Sequence, residues 1–216
     1  EPSKSAVATT ALLALVKIGK PSVDRALKVL DGSDTKLIDF HKEAVKKATE
    51  AKEAPSGNIS LPVAAAVIGM AGRPEGIAPM IKILESDASD ADKAVVAREL
   101  AKIPATKESK DAFKKAFENI PLDASLQGMP ALVALAEAAG QFYDADMIPW
   151  LLERARNTKG GGEEKVALQK TLVMTALKLA KPDQMASVKK AAETYNAKDL
   201  VANVEEVVNA CGDKVD

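Results

Sequence analysis

From Pro62 to Leu84 the chain reads P-V-A-A-A-V-I-G-M-A-G-R-P-E-G-I-A-P-M-I-K-I-L, and its apolar pattern changes halfway along. Val63 to Ala71 carries no charged or polar side chain, which predicts a helix buried nearly all round. Ile77, Met80, Ile81 and Leu84 then follow helical spacing, with Glu75, Lys82 and Glu85 on the remaining surface. Gly72 suits the left-handed position that ends a helix, and Pro74 suits the start of the next. Pro79 falls early in that helix, where the backbone donors have no intrahelical partners. The stretch is predicted to be two helices folded back on each other.

The same pattern returns along the chain. Residues 11–30 repeat it, with Gly19-Lys20-Pro21 at the bend, and further copies span 95–117, 131–152 and 172–191. Read in order, helices are expected at 6–19, 21–31 and 35–54, then the helical hairpin at 62–85, then helices at 90–103 and after Thr106. Others follow at 129–139, 144–157, 163–180, 183–195 and 198–210. Ser33 or Asp34 can cap the third helix, and Ser89 with Asp92 fits a capping box. The helix at 35–54 is Lys-rich, with Leu37, Phe40, Ala44, Val45 and Ala48 on one side, and it lacks a clear hairpin partner. Ala54 to Asn58 is the most linker-like segment, and Pro121 to Gly128 reads as a loop.

Gly72-Arg73-Pro74 followed by Ile77-Ala78-Pro79-Met80-Ile81 resembles the HEAT-type repeats of α-solenoids, and Ile148-Pro149-Trp150-Leu151-Leu152 matches its second half. The resemblance implies an all-α fold: a right-handed α-α superhelix of about five helix pairs. It implies one domain over residues 1–216, with a weak boundary near 54–59. Repeats of this kind identify a fold and not an activity. Family members are mostly scaffolds and adaptors, which implies a non-catalytic module binding a protein or peptide.

Composition narrows this picture. Hydrophobic residues make up 47% and aromatics only 3%, so the core is built from Ala, Leu, Val, Ile and Met. Thirty basic residues against thirty-one acidic ones leave no strongly basic face for nucleic acid. One cysteine excludes an intramolecular disulfide and a cysteine-rich metal site. No apolar run is long enough to span a membrane. The absence of an initiator Met and a signal peptide fits a mature form, after removal of a secretion signal or trimming of a longer protein.

Candidate chemistry is sparse. His41 is the sole histidine and sits beside Leu37, Ala44 and Ala48, which suits a packed or edge residue better than a triad or a metal ligand. Asp87 to Asp92 lacks the central glycine and closing Glu of a calcium loop, so helix capping explains it better. Gly160-Gly161-Gly162 lacks the Lys-Ser/Thr of a phosphate loop. Cys211 reads as a small buried hydrophobe. No metal, cofactor or catalytic residue is expected.

Tyr143, Met147, Trp150 and Arg154 form the one cluster that suggests binding. If Ile148, Leu151, Leu152 and Ala155 face the core, Trp150 points roughly 150° away from it. A neighbouring repeat then covers that face, or it forms an exposed patch. Aligned by repeat, Ala26, Met80 and Trp150 would make a row along one groove. Two other classes stay open beside the binding module. One is a HEAT-like enzyme or nucleic-acid repair module, which the charge balance and the lack of His-Glu pairs oppose. The other is a structural subunit of a larger complex.

Overall fold

The computed structural model describes residues 4–52, 60–120, 129–158 and 162–194. Eleven α-helices run through these residues, and no strand occurs among them. They are α1 (Lys4–Ile18), α2 (Lys20–Leu30), α3 (Thr35–Glu50), α4 (Ser60–Met70), α5 (Ile77–Glu85) and α6 (Asp90–Leu100). Then come α7 (Lys107–Asn119), α8 (Met129–Ala139), α9 (Ile148–Asn157), α10 (Glu163–Leu179) and α11 (Met185–Thr194). The protein is all-α, and each bend is set by a local device.

Gly72 takes φ +58° after α4. Its N–H reaches Gly69 O at 3.1 Å while the Arg73 N–H reaches Ile68 O at 3.2 Å, the paired bonds of a left-handed helix stop. Asp34 opens α3 by accepting the Leu37 N–H through its carboxylate. Ser89 opens α6 by accepting the Asp92 N–H and donating its hydroxyl proton to the Asp92 carboxylate. The predicted helix at 144–157 begins with a 3-10 turn, Ala145–Met147, ahead of α9.

The chain divides into two compact units, Glu1–Ala116 and Phe117–Asp216, and the division falls inside α7. In the first unit α4 lies against α1, α2 and α6, and α5 against α2 and α6. Ala65, Val67 and Ile68 of α4, Met80 and Leu84 of α5, and Val96, Ala97 and Leu100 of α6 are buried. Gly69 permits the α4–α6 approach: a Cβ there would stand 2.8 Å from the Glu99 carbonyl oxygen. The buried Glu99 carboxylate is held by Lys102 at 2.6 Å and Arg98 at 3.2 Å. In the second unit α10 packs against α8, α9 and α11. Its buried Leu168, Leu172, Val173 and Ala176 supply the apolar side facing them.

Three expectations need correction. The helix from 35 stops at Glu50, and Phe40, placed on its apolar side from the sequence, is 73% exposed. The half-buried stripe is Leu37, His41, Val45 and Ala48, from which Phe40 lies roughly 95° round the helix at 100° per residue. α4 is not wrapped on every side, since Val63 and Met70 remain exposed. The linker-like residues 54–59, the loop 121–128, Gly160, Gly161 and the expected helix 198–210 with Cys211 lie outside the described residues.

Candidate functional site

The aromatic cluster around Trp150 lies in the second unit, and most of it is core. Tyr143 is 88% exposed, with its backbone left-handed at φ +49°. Trp150 is 8% exposed, and Met147 is fully buried. The Trp150 ring meets Phe117 edge-on with centroids 5.2 Å apart, a favourable quadrupole geometry. Its Nε1–H donates to Glu118 Oε1 at 3.2 Å. Arg154 stands 3.6 Å from the same oxygen and also pairs with Glu153 at 3.0 Å. Of the two readings open for the face of Met147, Trp150 and Arg154, covered or exposed, Phe117 and Glu118 favour the covered one. Only Tyr143 is freely exposed.

Met80 is fully buried in the first unit. The row Ala26, Met80, Trp150 also slips by one residue. Ile77 opens α5 and Ile148 opens α9, each after a 3-10 turn, so the buried partner of Met80 in the second unit is Leu151. Met80 and Leu151 each stand eight residues after a left-handed residue, Gly72 and Tyr143, whereas matching Pro79 to Pro149 shifts the register by one.

The first unit holds an open apolar site instead. A cavity of roughly 440 Å³ is walled by Leu15 of α1, by Pro21, Ser22, Arg25, Ala26 and Val29 of α2, by Leu37 of α3, and by Ser60, Val63, Ala64 and Val67 of α4. A second cavity of roughly 290 Å³ adjoins it through the shared Val29, Leu37 and Ser60, and adds Gly32, Asp34, Ile38, His41, Lys42 and Leu61. Together they form a groove between α2, α3 and α4. Its existence follows from α3, none of whose residues is fully buried. The stripe Leu37, His41, Val45, Ala48 is at helical spacing, yet α3 meets too few neighbours to close it. α1 leaves Leu13 and Ile18 exposed in the same way.

Polar groups at the groove are few and specific. The Asp34 side chain is 10% exposed and binds the Arg25 Nε–H at 3.0 Å as well as the Leu37 N–H. Partial burial would raise the Asp34 carboxyl, but the Leu37 N–H and the Arg25 guanidinium outweigh it and hold the group below the ordinary carboxylate value. These bonds fix where α3 starts and hold Arg25 at the groove wall.

Among the described residues no three His, Cys, Asp or Glu side chains form a metal set. No helix among them is long and apolar enough to cross a membrane. Compared with protein-family models, curated proteins and solved structures, the chain matches none. The fold and groove define an all-helical protein with an apolar, concave surface in its first unit. The sequence did carry a signal for that surface, in a one-sided helix at 35–50 with no hairpin partner.

Proposed function

We propose that the chain is a non-catalytic interaction module. Its helices are HEAT-like repeats coiled as a right-handed superhelix of about five pairs, and the groove of the first unit seats an apolar helix of a partner protein. The observation that supports this is the groove itself. It is lined by Ala26, Val29, Leu37, Val63, Ala64 and Val67, with few polar groups. Apolar side chains spaced i, i+3, i+4 and i+7 on a docking helix fit such a surface, and their desolvation favours binding against the entropy lost on association. The paired-helix pattern of residues 11–30 and 62–84 supports the repeat reading.

Val63→Asp tests the proposal, because Val63 lines the groove yet is 42% exposed, so a carboxylate there can reach water. Partner proteins co-purifying with the wild-type chain from its native source should be lost from the variant, at an unchanged melting temperature. Full retention would contradict the proposal.

A further inference from the structure

We infer that the groove selects an acidic amphipathic helix, with carboxylates beside its apolar stripe. This rests on the groove being a helix-binding site, and it follows from the charges that line it. Of the two cations in the lining, Lys42 makes no ion pair or hydrogen bond among the described residues. Arg25 donates only its Nε–H, to Asp34, which leaves the four N–H donors of its two terminal nitrogens unclaimed among the described residues. That fork suits a carboxylate taken through two parallel bonds. The one carboxylate in the lining, Asp34, is already engaged by Arg25 and the Leu37 N–H. The other carboxylates of α3, Asp39, Glu43 and Glu50, are exposed and lie roughly opposite its apolar stripe at 100° per residue. Among the described residues the lining thus offers one unpaired cation, Lys42, the open guanidinium edge of an Arg25 already paired with Asp34, and no unengaged carboxylate.

Other occupants fit less well. A second copy docking groove to groove would bring together two linings that each carry an unpaired cation and no unengaged carboxylate, which disfavours it. A lipid surface takes a flat or convex apolar helix face, whereas this site is a hollow between helices.

Three synthetic helical peptides decide the matter. They share one leucine stripe at i, i+3, i+4 and i+7 and differ only in flanking residues: Glu, Gln or Lys. Binding to the full chain is read by fluorescence anisotropy. The Glu peptide should bind about fivefold or more tighter than the Gln peptide, with the gap closing as salt rises. The Lys peptide should be weakest, and Lys42→Glu should erase or invert the order. Arg25→Lys keeps a cation for Asp34 but loses the fork, and should weaken the Glu peptide selectively. Equal binding of the Glu and Gln peptides, lost together in Val63→Asp, would overturn the acidic partner and leave the groove reading intact. Failure of all three peptides would overturn both. Binding to anionic phosphatidylglycerol vesicles without peptide binding, or a dimer abolished by Val63→Asp, would replace the peptide with those occupants.

Discussion

α3 and α9 are both one-sided helices, yet they end in opposite states. α9 buries Ile148, Trp150, Leu151 and Ala155, and the polar edge of its indole is met by Glu118. α3 has a comparable stripe, Leu37, His41, Val45 and Ala48, and buries none of it fully. α9 has α10 along it, and Phe117 and Glu118 supply the ring and carboxylate that its Trp needs. α3 has a groove in place of such a neighbour. The comparison teaches that residue type is a poor guide to a binding face in a helical array. A tryptophan is often core, whereas an amphipathic helix without a packing partner marks an open surface.

The largest expected effect comes from the closed side of this comparison. Trp150→Ala should cost about 3–5 kcal/mol of stability in urea titration, since it removes a buried ring, its Phe117 contact and its bond to Glu118. A loss below 1 kcal/mol would show that Trp150 is not core. Gly69→Ala should cost about 1–3 kcal/mol, because the new Cβ meets the Glu99 backbone, which is unable to swing aside. That variant asks whether α4, one wall of the groove, is rigidly seated on α6. A wild-type melting temperature would contradict the close approach.

Asp34 gives a smaller effect, visible in pH dependence. Its carboxyl is depressed in the folded chain, so its contribution is present above the unfolded value of about 3.9 and is lost as pH falls through the folded value. Asp34→Asn keeps a cap but removes the titration, so its melting temperature should fall less steeply below about pH 4 than that of the wild type. Identical acid limbs would contradict the assignment. Phe40→Ala should be smallest, within about 0.5 kcal/mol, because Phe40 is exposed. A larger loss would mean that α3 is packed after all.

Much of the fold was legible in the residues. Gly72, Asp34 and the Ser89–Asp92 pair act as local backbone rules require, and α8 spans 129–139 as its pattern predicted. These features depend on neighbours in sequence. What failed depended on neighbours in space. Phe40 was placed on the apolar side of its helix, and Trp150 was left between a covered and an exposed face. Their exposure is set by whether Phe117, Glu118 or nothing lies opposite. The groove needed α2, α3 and α4 to be brought together, and in the sequence it showed only as a missing hairpin partner for α3.

Hydrogen–deuterium exchange on the intact chain, with and without the Glu-flanked peptide, tests most directly which of the two regions is the binding face. The account predicts slowed exchange in α3 and in the first turns of α4, with residues 148–157 already slow and unchanged. Slowed exchange confined to 148–157, or no change in α3 at saturating peptide, would contradict it.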